Sequence, residues 1–76
     1  MALTIQEVRV IGTNSQICEY RVSGLPCGQE AFIAEFPYNG WKILRSIDGV
    51  QGNWTGTFES VESALRHLQL QVAVEN

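Results

Sequence analysis

The residues best suited to chemistry in this chain are one histidine and two cysteines: His67, Cys18 and Cys27. A structural zinc ion takes four such ligands, usually in closely spaced pairs, and these three residues do not follow that spacing. A thiolate is favoured at the start of a helix, where the helix dipole lowers the pKa of the thiol, and neither cysteine lies at such a position. We therefore predict no metal site, no cofactor and no enzymatic centre, with His67 at the surface of its helix.

Other enzyme motifs are equally weak. No pair of acidic residues has the spacing of an acid–base couple, and neither G-x-x-x-x-G-K-[ST] nor G-x-G-x-x-G occurs. Asn53-Trp54-Thr55 matches a glycosylation signal, which we interpret as chance because the N-terminal sequence does not resemble a secretory signal. Both cysteines are expected as free thiols, since the predicted hairpin separates them by more than the roughly 7 Å that a disulfide spans.

The composition describes one small acidic domain spanning residues 1–76. Apolar residues make up 45% of the chain and charged residues 17%, which favours a compact core over intrinsic disorder. Five Lys and Arg against eight Asp and Glu give a net charge of −3, the opposite of the balance that general nucleic-acid binders carry. No apolar run approaches the roughly 20 residues of a membrane span. A cytoplasmic protein without membrane contact is the expected setting.

Short alternating apolar segments, separated by turn residues, predict strands over most of the chain. The first, 3–11, changes the phase of its alternation, which a bulge near Gln6-Glu7 would explain. Four more strands are predicted at 16–22, 30–38, 41–47 and 54–58. In the last of them, Trp54 and Phe58 are expected to share a face.

Asn39-Gly40 is the clearest turn signal, because both central residues of a type I′ turn need positive φ. A turn there sets three cross-strand pairs: Tyr38–Trp41, Phe36–Ile43 and Phe32–Ile47. The next reversal is expected to be a longer loop over 48–53, in which Ile47 meets Trp54.

After residue 58 the apolar period changes from two to about 3.6, which predicts a helix over 61–71. Ser60 suits the N-cap position. Leu70 falls opposite the apolar stripe, so either the helix ends before it or a leucine is exposed. The stripe consists of Val61, Ala64, Leu65, Leu68 and Val72. The expected fold class is α+β, an antiparallel meander of about five strands with one C-terminal helix packed on one face.

Three segments carry a family resemblance: Gly40-Trp41-Lys42-Ile43, Gly56-Thr57-Phe58-Glu59-Ser60 and Glu62-Ser63-Ala64-Leu65. Together they resemble the sheet-to-helix junction of the plant AP2 domain and of the arm-binding domains of phage integrases, families that lay a three-stranded sheet in the major groove of DNA. The resemblance implies nucleic-acid contacts at Trp41, Lys42 and Arg45, with Trp54 as a further aromatic. In style the whole chain is also similar to short proteins of cyanobacterial genomes, which implies a bacterial source.

A single helix can cover only one face of a five-stranded sheet. Ile17, Ile33 and Leu44 have the opposite parity from the main apolar sets of their strands, so we expect them to form an apolar patch on the uncovered face. The leading interpretation is a small non-catalytic protein-interaction or assembly module that binds itself, as a homodimer, or an unknown protein partner. Two alternatives stay open: a curled sheet that buries both apolar sets, and a nucleic-acid-binding module that uses the exposed sheet face.

Overall fold

The structure is a computed structural model that describes residues 3–8 and 18–75. In chain order the elements are β1 (Thr4–Val8), β2 (Cys18–Ser23), β3 (Gln29–Phe36), β4 (Gly40–Ile47), β5 (Val50–Gln51), β6 (Thr55–Phe58) and α1 (Val61–Glu75). Neighbouring strands are antiparallel in the order β1-β2-β3-β4-β5, and β6 also pairs with β4. The predicted α+β meander with one C-terminal helix is confirmed.

The strand β4 is paired along both edges. One edge pairs with β3 over the full length of both strands. On the other edge, the N-terminal half of β4 pairs with β6 and the C-terminal end pairs with β5. Between these two segments the Gly52 N–H donates to the Arg45 carbonyl oxygen at 2.8 Å, and the chain then leaves the ladder. The predicted fifth strand, 54–58, corresponds to β6, whereas β5 lies within the segment predicted as a loop.

Asp48 and Gly49 form the tight turn between β4 and β5. Their φ angles are 52° and 83°, so both occupy the left-handed region that a type I′ turn requires. Ile47 therefore lies opposite Val50. The prediction of a longer loop over 48–53, with Ile47 facing Trp54, is wrong because an aspartate followed by a glycine can close a two-residue hairpin.

The turn between β3 and β4 depends on Pro37. The Asn39 N–H donates to the Phe36 carbonyl oxygen at 3.2 Å, which closes a four-residue turn. Proline fixes φ at about −65°, and Tyr38 follows with a φ of 66°, a combination that defines a type II turn. Gly40 is then the first residue of β4 and lies opposite Phe36.

This turn changes the register that the sequence predicts. Phe36 lies opposite Gly40 instead of Ile43, a shift of three residues. The three predicted pairs that are wrong are Tyr38–Trp41, Phe36–Ile43 and Phe32–Ile47. Because the shift is odd, it exchanges the faces of one strand relative to the other, so Ile33 rather than Phe36 shares a face with Ile43.

The core lies between α1 and one face of the sheet. Its buried members are Leu3, Val22, Ala31, Ile33, Ile43, Val61, Ala64, Leu68 and Val72. Ile33 and Leu68 are the largest side chains with no exposed surface, and they come from opposite layers. The apolar stripe predicted for the helix is confirmed, with Leu65 half-buried at its border.

Both ends of α1 have identifiable stabilising contacts. The Ser63 N–H donates to the Ser60 side-chain oxygen at 3.2 Å, so the predicted N-cap is confirmed. The helix runs past its predicted end, and Leu70 is exposed on it. The carboxylate of Glu75 lies at the negative end of the helix dipole, which disfavours its charge. The guanidinium of Arg45 in β4 offsets this repulsion by donating two hydrogen bonds of 2.8 Å to the carboxylate. Those bonds lower the pKa of Glu75 below its ordinary value.

The strand β1 pairs with β2 in a continuous register from Thr4 to Val8. The predicted bulge near Gln6-Glu7 is therefore wrong, because no residue of that segment is left over in the ladder. The ends of the first two predicted strands fall within 9–17, which lies outside the described residues.

Two glycines with similar positive φ angles allow a matched stability test, because alanine would be strained to the same extent at either position. Gly40 and Gly49 have φ angles of 73° and 83°, so alanine at either is expected to cost about 1 kcal/mol. An added Cβ at Gly40 would also lie 2.9 Å from the Phe58 carbonyl oxygen, whereas nothing lies within 4 Å at Gly49. We expect Gly40→Ala to lower the free energy of unfolding in urea by about 2–3 kcal/mol and Gly49→Ala by about 1 kcal/mol. Equal losses would contradict the close approach of β6 to Gly40.

Candidate interaction surface

The predicted apolar patch is not exposed. Ile33 is 0% exposed and lies in the core beneath α1, because the register of the β3–β4 hairpin turns it towards the helix. Leu44 lies on the other face of the sheet but is only 8% exposed. Ile17 lies outside the described residues. The assignment of Ile33 and Leu44 to an exposed patch is therefore corrected.

The three predicted nucleic-acid contacts do not share a surface. Trp41 is half-buried on the helix side, where its ring centroid lies 5.9 Å from that of Tyr20. Arg45 is on the same side and is bound by the carboxylate at the end of α1. Lys42 lies on the opposite side, where its ammonium donates to the Gly56 carbonyl oxygen at 2.9 Å. A duplex laid on either face of the sheet would therefore meet only part of this set.

The candidate metal ligands also stay separate. His67 is exposed on α1, and its ring lies 5.1 Å from the ring of Phe58. Cys18 is half-buried and Cys27 is exposed, and neither forms a disulfide in the structure. In the part of the chain that the structure describes, no three His, Cys, Asp or Glu residues are grouped to hold a metal ion.

The face of the sheet opposite α1 carries an apolar cluster, which we call the aromatic face. Its members are Phe32, Ala34, Phe36, Leu44 and Trp54. The three aromatic side chains are half-buried, and Ala34 and Leu44 are buried. The rings of Phe36 and Trp54 meet edge to face with centroids 5.1 Å apart, a favoured aromatic geometry. The sheet thus has apolar side chains on both sides.

A bulge at Gly56 brings Trp54 to this face. Residues four apart in an unbroken strand point to the same side, so Trp54 and Phe58 were expected together. Gly56 instead has a φ of 86°, and the register between β4 and β6 shifts there. Phe58 therefore packs against the core beside the helix, while Trp54 packs on Phe36. The prediction that both share a face is wrong.

Charged side chains of both signs surround the aromatic face. The Arg21 guanidinium carbon lies 5.9 Å from the centre of the Phe32 ring, and one of its nitrogens lies 3.3 Å from the Glu30 carboxylate. Glu19 and Lys42 flank β3 on its two neighbouring strands. Among the described residues, this face carries two cations and two carboxylates, although the whole chain carries a net charge of −3.

Glu19 is the group on this face whose ionisation is disturbed by its surroundings. Burial raises the pKa of the Glu19 carboxyl above its ordinary value of 4.5, because partial removal from water disfavours the charged form. The cations Arg21 and Lys42 lie on the same face, together with Glu30. Ionised Glu19 therefore lowers the stability of the folded chain at neutral pH.

A neutral side chain at this position tests that cost. Since burial raises the pKa of Glu19 in the folded state, the folded protein binds more protons, and the cost of ionisation begins above the unfolded-state pKa and is complete above the folded-state pKa. We expect Glu19→Gln to raise the thermal unfolding midpoint at pH 7, and the gain to disappear below about pH 4. Glu59→Gln, at an exposed position, changes the net charge equally and is the control. A lower midpoint for Glu19→Gln at pH 7 would show that the carboxylate is stabilised instead.

No protein-family model, curated protein or solved structure matches the chain. Within the described residues, no helix combines the length and the apolar character needed to cross a membrane. The functional information therefore comes from the surfaces of the chain itself.

Proposed function

We propose that this chain is a small non-catalytic assembly module that forms a homodimer through its aromatic face. The observation that carries the proposal is the position of Phe32, Phe36 and Trp54, three aromatic side chains left half-exposed on the side of the sheet that α1 does not cover. Aromatic side chains are enriched at protein interfaces, and tryptophan is frequent among the few residues that contribute most of the binding energy. Cysteines that form no disulfide suit a reducing compartment such as the cytoplasm.

The charge pattern of the aromatic face supports a second copy as the partner. A surface with only one sign of charge would repel its own copy across a two-fold axis. Here the cations Arg21 and Lys42 are balanced by the carboxylates Glu19 and Glu30, so two identical faces meet without net repulsion. Glu19 and Lys42 lie on either side of Ala34, between Phe32 and Phe36 along β3, so the charges are interspersed with the aromatic side chains.

The size of the face is sufficient for a modest dimer. The strands β3 and β4 have eight residues each, so they are about 27 Å long at about 3.4 Å per residue. The other strands are shorter, and with neighbouring strands about 4.8 Å apart the whole sheet has a face of roughly 500 Å². Two copies packed face to face would bury about 1,000 Å², near the lower limit for a specific interface. We therefore expect association in the micromolar range.

Reversal of one charge on the aromatic face tests the dimer. Arg21→Glu leaves three carboxylates against one cation on each copy, so we expect it to weaken the dimer at least tenfold, equivalent to about 1.4 kcal/mol, in sedimentation equilibrium. The side chain of Arg21 is half-exposed and its ion pair is solvated, so the fold should tolerate the change.

Two matched variants make this test specific. Arg66→Glu, at an exposed position on α1, changes the net charge by the same amount and should leave the dimer intact. Arg21→Glu combined with Glu30→Arg restores the balance of the face and should recover most of the affinity. A parent chain that stays monomeric up to millimolar concentrations, or equal effects of Arg21→Glu and Arg66→Glu, would overturn the proposal.

A further inference from the structure

Tyr38 is fully exposed at the tip of the β3–β4 hairpin. The residue is 105% exposed, so its side chain packs against none of the described residues. Its φ of 66° lies at the position of a type II turn that glycine or asparagine normally occupies. A tyrosine there strains the backbone and adds no contact to the fold. The fold alone gives no physical reason for an aromatic side chain at this tip.

A shallow groove lies on the outer side of α1. It has a volume of about 380 Å³ and is lined by His67, Leu70, Gln71, Val74 and Glu75. Leu70 and Val74 are adjacent on the helix surface, one turn apart, and are 63% and 85% exposed. The groove therefore has an apolar floor and a polar border. An apolar floor with a few hydrogen-bonding groups beside it suits a side chain that is apolar along its body and polar at its end, as tyrosine is.

The tip and the groove lie at opposite ends of the molecule. Trp41, next to the hairpin tip, pairs with Phe58, and α1 begins just beyond that residue. The last turn of α1 lies beside Arg45, towards the other end of β4. Fifteen helical residues extend about 22 Å, so Tyr38 cannot reach the groove of its own chain. The two features can meet only between copies.

We propose that Tyr38 of one copy docks into the α1 groove of a second copy, so that the chain also associates head to tail. The ring would cover Leu70 and Val74, and its hydroxyl would reach the polar border formed by Gln71 and Glu75. The tip approaches without electrostatic cost, because Pro37, Tyr38 and Asn39 carry no charge. The Arg45 ion pair holds Glu75 in place at the border.

We choose a second copy as the partner because one chain carries both the Tyr38 tip and the α1 groove. A contact between two different patches does not close on itself, so each copy keeps one free tip and one free groove. The result is an open row of molecules or a ring. One aromatic anchor in a shallow groove forms a small interface, for which we expect weak, concentration-dependent association. This contact uses none of the residues of the aromatic face and does not depend on the proposed homodimer.

The test uses the Arg21→Glu chain, in which association through the aromatic face is weakened and can form only a dimer, so species larger than a dimer report the head-to-tail contact. We expect this chain to sediment as a concentration-dependent series of oligomers up to millimolar concentrations. Adding Tyr38→Ser or Leu70→Ser should weaken this association at least tenfold. Val50→Ser removes a comparably exposed apolar side chain, 73% exposed in the β4–β5 hairpin, and should have no effect.

A mixture of the two defective chains separates this contact from others. The Tyr38→Ser chain keeps a groove and the Leu70→Ser chain keeps a tip, so together they should form a one-to-one pair and nothing larger. If each variant associates normally, or if the mixture stays monomeric while the parent associates, the head-to-tail proposal is overturned. An Arg21→Glu chain that forms nothing larger than a dimer while the unaltered protein dimerises would overturn this inference and leave the aromatic-face dimer standing.

Removing the backbone strain at Tyr38 gives a second test, because it should change the unfolding midpoint. Because glycine adopts positive φ freely, Tyr38→Gly should raise the unfolding midpoint of the monomer by about 4 °C. The same variant should abolish head-to-tail association. A substitution that stabilises the fold and removes association would be expected only if the side chain acts between molecules. A lower midpoint would show that Tyr38 supports its own fold and would overturn the argument.

Discussion

The packing of α1 against Ile33 and Ile43 is the constraint on which the rest of the structure depends. These two isoleucines are direct partners across the β3–β4 ladder, so placing both beneath the helix fixes the register of that hairpin. In a sheet, the register also decides which side chains point away from the core. Once Ile33 and Ile43 face α1, Phe32 and Phe36 must lie on the other side, where no helix within residues 3–8 and 18–75 covers them. The aromatic face is therefore a direct consequence of how the core is built.

The features of the fold that could be predicted are those with a local cause. The helix stripe and the Ser60 cap follow from spacing and side-chain chemistry within a few residues, and both are present. The register of the β3–β4 hairpin has no such local cause. Asn39-Gly40 and Asp48-Gly49 are equally good type I′ sequences, but only the second forms that turn. The difference lies in Pro37, whose fixed φ favours the second position of a type II turn, and in the burial that the resulting register gives to Ile33.

The candidate surfaces were harder to predict for the same reason. The alternation along β3 correctly separates the side chains of its two faces. It does not show which face the helix covers, so the prediction that Ile33 lies on the uncovered face is wrong. Trp54 reaches the aromatic face only because Gly56 interrupts β6. The exposure of Tyr38 depends on a turn that places it beyond both layers. Each of these outcomes is set by the contacts of the folded chain rather than by a sequence motif.

The two tryptophans lie on opposite sides of the sheet. Trp41 packs beside Tyr20 on the border of the core, whereas Trp54 packs on Phe36 at the open side. The emission of an indole ring depends on its immediate surroundings. Trp41 will therefore respond to closure of the helix over the sheet, and Trp54 to whatever comes to rest on the exposed layer. The molecule carries a separate optical reporter for each side, so folding and assembly can be followed independently in one chain.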